Sequence, residues 1–254
     1  MKFKQLDETM RQFETSTDYN VLPGIYMVAR IDGRCFTRLT KKTHQFEAPY
    51  DIRFRELMVG TVKHLMNCGF KVSYGYTQSD EISLLLDPSE CLFQRKERKI
   101  NSILAGEASA KFSLLLNDVG AFDCRLSLLP SKARVIDYFR WRSEDAVRNA
   151  LNAHCYWLLR KAGVSANEAA AQLSGASVAV KNELLFAQGI NFNHVPDWQK
   201  RGVGLYWQSV EKKAFNPINN RPVSAMRRHL KVDLSLPMKS GYSALLEGLV
   251  PDMS

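Results

Sequence analysis

The chain has 254 residues, 45% hydrophobic and 24% charged, the balance of a globular protein able to bury a sizeable core. Lys and Arg outnumber Asp and Glu by 35 to 26, and the resulting +9 favours a polyanionic partner, nucleic acid or a phosphate-rich ligand. No run of about 18 apolar residues is present to span a membrane. The polar start MKFKQLDETMRQFE reads as neither leader nor anchor. Five scattered cysteines without a CxxC pair, and five scattered histidines, argue for reduced thiols in a cytoplasmic protein and against a zinc site.

In chain order, GIYMVARI (24–31) is a near-continuous apolar run, expected as a central strand that ends in Asp32-Gly33-Arg34. Residues 51–68 put Phe54, Leu57, Met58, Val62, Leu65 and Met66 on one helical stripe, with Asp51 as cap and Gly69 as stop. FKVSYGYT (70–77) alternates as a strand, QSD turns, and EISLLLD (81–87) returns. A helix over 93–117 and a strand over 121–129 follow. Residues 137–163 read as a long helix in which Tyr138, Trp141 and Trp157 are packing aromatics. Short helices are expected near 166–180, and FNPINNRP (215–222) as a loop between two strands.

The order β-α-β-β-α-β is the split-βαβ, ferredoxin-like plan, so the expected fold class is mixed α/β (α+β) with a helical and β C-terminal extension. Right-handed crossovers place the third strand between the first two. Asp32, at the end of the first strand, then lies beside the turn that carries Asp80 and Glu81. Clustered carboxylates repel unless a cation neutralises them, and a few hard oxygen ligands are what Mg²⁺ takes. Two such ions can serve phosphoryl transfer. Gly33 allows close backbone approach, and the N–H groups of residues 33–37 offer an anion nest. Arg95, Lys96, Lys99 and Ser102, at the entry of the next helix, offer phosphate contacts.

The segments RIDGRCFTRLT…FEAPYD, YTQSDEISLLL, AFDCR and DYFRWRSEDAVRN resemble, in order and spacing, the signatures of the tRNA-histidine guanylyltransferase family and its guanylyltransferase-like 3′–5′ polymerase branch. The resemblance implies a palm like that of polymerases and cyclases over 1–135. It also implies a C-terminal region, 136–254, packed on the palm and contacting tRNA. It further implies a nucleotidyltransferase that extends the 5′ end of tRNA, with GTP, ATP and other nucleoside triphosphates as substrates, acting as a homodimer or homotetramer. Asp32, Asp80 and the Gly33 carbonyl match the ligands of two Mg²⁺ ions, with Glu81 as a supporting acid. Asp32, Gly33, Arg34, Cys35, Phe36, Thr37, Ser79 and Asp80 match the triphosphate segments, and Arg95 or Lys96, Lys99 and Ser102 the basic helix. Two positions depart from the eukaryotic pattern. Val147 stands for a histidine, and Ala48 for a lysine tied to 5′-monophosphate activation. Both resemble the branch that repairs 5′-truncated tRNA by templated addition, with addition of a single G to histidine tRNA as the alternative. A palm-type nucleotide cyclase and a non-catalytic RNA-binding module are the remoter readings.

Overall fold

The computed structural model describes residues 2–216 and 221–253. Helix α1 (Phe3–Thr15) precedes β1 (Tyr26–Gly33), which ends in the short helix α2 (Phe36–Arg38) and a π-helical turn, Leu39–Thr43. There follow α3 (Ile52–Leu65), β2 (Val72–Gln78), β3 (Glu81–Leu86), α4 (Glu97–Leu116) and β4 (Phe122–Leu129). The second half holds α5 (Lys132–Lys161), α6 (Ala166–Leu173), α7 (Val178–Phe186), α8 (Asp197–Arg201), β5 (Val203–Asn216), β6 (Arg221–Asp233) and α9 (Lys239–Leu249). Residues 217–220 of the expected loop lie outside the described residues.

The six strands form one antiparallel sheet in the order β4-β1-β3-β2-β5-β6. Its first four strands are the expected ferredoxin-like arrangement, with β3 between β1 and β2. The second half is not a separate layer: β5 hydrogen-bonds to β2 and continues the sheet.

Alternation along β1 sends Met27, Ala29 and Ile31 to the face covered by α3 and α4, and Tyr26 and Val28 to the face covered by α5 and α9. Both sides of the strand are therefore dry over Tyr26–Ala29, which is why its sequence is apolar there, and Arg30 is the first polar side chain, at the cleft. A third cluster, built on Ala150, Leu151, Cys155 and Leu159, ties the far half of α5 to α6, α7 and Phe192. Helix α3 starts at Asp51, whose carboxylate accepts the Arg53 N–H at 2.7 Å and the Glu47 N–H at 2.7 Å. Helix α5 runs unbroken for 30 residues from Ser131, starting earlier than its hydrophobic pattern indicates.

Two expected packing aromatics behave otherwise. Tyr138 is buried, but Trp141 is exposed beneath the Arg142 guanidinium at 4.7 Å, and Trp157 faces a cleft.

Candidate active site

The cleft, about 510 Å³, opens between the ends of β1 and β3, the start of α3, and one face of α5. It is lined by Asp32, Asp80 and Glu81, and by Arg142, Ala146, Asn149, Ala153 and Trp157 of α5. That spacing is a single helical stripe aimed at the carboxylates.

β2 and β3 are joined by the two residues Ser79-Asp80 between the paired Gln78 and Glu81. Ser79 takes the left-handed φ of 54° that so tight a turn requires. The Gly33 N–H donates to the Asp80 carbonyl at 3.0 Å, locking the end of β1 to this turn. Asp32 and Glu81 are cross-strand partners, so their side chains rise from the same face.

The three acids then divide. Glu81 accepts two 2.7 Å bonds from Nε and Nη2 of Arg142 and pairs with Arg30 as well, all three side chains being largely buried. Among the described residues neither Asp32 nor Asp80 has an ion-pair partner. Burial pushes the Asp80 carboxyl above the ordinary carboxylate range, and the neighbouring charge of Asp32 adds to the effect. Its own backbone N–H and the Ser79 hydroxyl, 3.0 Å away, pull the other way. Two adjacent acids left without a counter-cation in a half-dry cleft form a donor set suited to a hard divalent ion such as Mg²⁺. Glu81, already neutralised twice, is not free to join them.

The glycine at 33 has a reason unseen in the sequence. A Cβ there would lie 2.6 Å from the Phe36 ring, which is buried among Phe54, Phe112 and Phe122. Phe36 is thus a core side chain that seats the loop. Arg34 and Cys35 are exposed, Cys35 at φ 61°, and Thr37 lines the cleft. Of the expected nest, the Gly33 and Arg34 N–H groups are already taken by the carbonyls of Asp80 and Ala121. Only those of Cys35, Phe36 and Thr37 remain for an anion.

The basic helix is a correction. Arg95 is buried, and its guanidinium donates to the carbonyls of Ile25 at 2.5 Å and Pro88 at 3.2 Å. Lys96 pairs with Asp18 at 2.9 Å, while Lys99 and Ser102 are exposed on the first turns of α4. Ile25 precedes Asp32 by seven residues of mostly strand, about 23 Å at roughly 3.3 Å per residue. None of the four lines the cleft. The cause is chain direction: β3 runs away from the carboxylates, so the helix after it starts at the opposite end of the sheet.

A family model described as tRNAHis guanylyltransferase matches residues 7–130, and one described as the Thg1 C terminal domain matches residues 133–235. The chain belongs to the tRNAHis guanylyltransferase family. It is accordingly a nucleotidyltransferase enzyme. The tRNA(His) guanylyltransferase of Debaryomyces hansenii is 32% identical over 211 residues, which cover 78% of each chain. The solved structure of a bacterial tRNA(HIS) guanylyltransferase-like protein in complex with ATP is 26% identical, with a TM-score of 0.74 over 96% of this chain and 99% of that one. Its complex with GTP gives 0.72 at the same identity, over 96% and 98%.

In this guanylyltransferase-family chain, several cleft residues were not singled out from the sequence, although Arg30 and Tyr50 lie within the signature segments. Arg30, Lys41, Tyr50, Arg55 and Trp198 reach the cleft from four separate segments. Arg142, Asn149 and Trp157 could have been found from their 3–4 residue spacing with Ala146 and Ala153. Val147 points away from this stripe and packs with the third cluster, whereas Ala48 lines the cleft.

Proposed function

We propose that this enzyme adds nucleotides to the 5′ end of tRNA in the 3′–5′ direction, the 3′-hydroxyl of an incoming nucleoside triphosphate attacking an activated 5′ phosphate. The observation that carries this is the pair Asp32 and Asp80, without ion-pair partners among the described residues, in a cleft that Arg30, Lys41, Arg55 and Arg142 also line. Asp32, Asp80 and the Gly33 carbonyl would hold Mg²⁺, which when bound supplies activation of the attacking hydroxyl and charge neutralisation on the leaving phosphates. Ser79 orients the Asp80 carboxylate through its hydroxyl. Arg30 and Arg142, held by Glu81, keep positive charge beside the acids without quenching them. Thr37 and the free N–H groups of residues 35–37 would orient the triphosphate. Lys99 and Ser102, remote from the cleft, fit contacts to the tRNA backbone better than contacts to the reacting phosphates.

Two acceptors fit this chemistry. Addition of G to histidine tRNA is favoured by the names of the relatives and of the family model. Templated repair of 5′-truncated tRNA is favoured by Ala48, which leaves a methyl group where the eukaryotic pattern has a lysine in the cleft. The complexes of the bacterial relative with both ATP and GTP also favour a site that is not restricted to G. A homo-oligomer belongs to the same proposal: α1 buries none of its residues and leaves Phe3, Leu6, Met10 and Phe13 exposed along one side. A cytoplasmic location suits five free cysteines.

The test is incubation with Mg²⁺, all four nucleoside triphosphates and tRNA transcripts that lack the first nucleotide, resolved on a sequencing gel. Addition only of the nucleotide complementary to the opposite strand establishes repair, and addition only of G to histidine tRNA establishes the other acceptor. No extension of triphosphorylated or monophosphorylated ends refutes the proposal, and a cyclic nucleotide product would replace it with the cyclase reading.

A further inference from the structure

We propose that Trp157, with Lys41 across its face, is a nucleobase platform at the end of the cleft remote from the carboxylates. This rests on the reading of the cleft as a nucleotidyl-transfer site. Trp157 lines the cleft half-buried, yet it belongs to none of the three hydrophobic clusters. Its neighbours on α5, Tyr156 and Leu158, pack against the third cluster; the Tyr156 ring meets the indole edge-on at 5.5 Å, and the rest of the indole lines the cleft. The cleft's second tryptophan differs: each has one edge-on tyrosine, but Trp198 also packs on the main core, so its burial is explained by packing. A large aromatic surface outside the core, in a polar cleft, is otherwise a cost to the free protein.

The Lys41 ammonium sits 4.9 Å above the indole centroid, from the π-helical turn that follows the Asp32 loop. A cation on a ring face is a weak, solvent-competed contact, and a planar base with a phosphate nearby replaces it with stacking and leaves the ammonium to the phosphate. Position supports the same reading. Trp157 lies fifteen residues along α5 from Arg142, about 22 Å at 1.5 Å per residue. The stripe between them is Ala146, Asn149 and Ala153, small or polar residues that leave the path open. A cleft of that length holds more than the reacting phosphates. The base stacked on Trp157 belongs either to the free nucleoside triphosphate or to the end of the tRNA, the chemistry on the indole being the same.

Equilibrium binding of GTP, and separately of a 5′-triphosphorylated tRNA transcript, separates the two sources in the wild type, Trp157→Leu and Trp157→Phe. Leucine keeps apolar bulk without a π face, and phenylalanine keeps the face. Trp157→Leu should weaken one of the two ligands by about 5- to 150-fold, the range for one stacked base, while Trp157→Phe retains most of the affinity. Loss for GTP alone assigns the free nucleotide, and loss for tRNA alone assigns the RNA end. Unchanged affinity for both at unchanged melting temperature overturns the platform. Should the leucine variant not fold, Trp157→Phe decides: ligand quenching of indole emission must fall relative to the wild type, and undiminished quenching overturns the proposal. Binding is read without turnover. A protein that loses affinity with Trp157→Leu but never extends RNA would sink the nucleotidyl-transfer reading and leave the platform standing.

Discussion

Glu81 offers a sharp test of how the three acids divide their work. Its carboxylate receives two charge-assisted bonds from Arg142 at 2.7 Å and forms one further ion pair with Arg30, with the Glu81 and Arg142 side chains only 11% and 12% exposed. Removing one partner of a buried pair costs about 3–5 kcal/mol when the other is stranded. Arg30 remains in Arg142→Met, so the expected loss lies below that range, at about 2–3 kcal/mol. For a chain of this size that is roughly 4–12 °C in melting temperature, at about 2–4 °C per kcal/mol. The partner variant Glu81→Gln removes the carboxylate from Arg30 and leaves Arg142 only Asp145, 3.5 Å away, and should lose at least as much. The double variant should lose less than the sum of the singles, by roughly 1–3 kcal/mol of coupling. Thermal and urea melts of the four proteins give the cycle. The functional half is read as the Mg²⁺ concentration for half-maximal nucleotide addition. Glu81→Gln should lower the rate without moving that concentration, because the carboxylate is already neutralised, whereas Asp80→Glu should raise it. Additive stability losses, or a Mg²⁺ shift in Glu81→Gln equal to that of Asp80→Glu, would refute the division.

Asp80→Asn should raise the melting temperature at neutral pH while abolishing activity. Its carboxyl titrates above the unfolded value, so the native state binds more protons and stability falls as pH rises through that interval; a lower melting temperature would contradict this. Asp51 works with the opposite sign. Its pKa is lowered to about 2, first by the Arg53 side chain and then by the backbone N–H groups it caps, so its contribution is present above the unfolded value and lost as pH falls toward 2. Asp51→Ala should cost about 0.5–2 kcal/mol and flatten the acid limb of the stability curve. Gly33→Ala should cost about 1–3 kcal/mol, because the new methyl meets the Phe36 ring at 2.6 Å, and a cavity-making Phe36→Leu should relieve part of it in a paired melt.

What the sequence determined by itself is what short-range physics governs. A near-continuous apolar run forces β1 into the middle of a sheet, and the stripe at Phe54, Leu57, Met58 and Val62 makes α3. A two-residue Ser-Asp link between alternating segments makes a hairpin whatever surrounds it, so the meeting of Asp32 with Asp80 and Glu81 was legible from the order of elements. Tertiary structure decided which acids stay open. Arg30 and Arg142 reach Glu81 from another strand and from a helix 61 residues away, and no local pattern announces that pairing. It also decided where the basic helix goes, since Arg95 follows β3 to the far end of the sheet and spends its charge on Ile25 and Pro88. Trp157 shows the same limit. Helical spacing tells that an aromatic has a preferred side, but whether that side meets a core or a cleft depends on what the rest of the chain places opposite, here Lys41 from more than a hundred residues earlier.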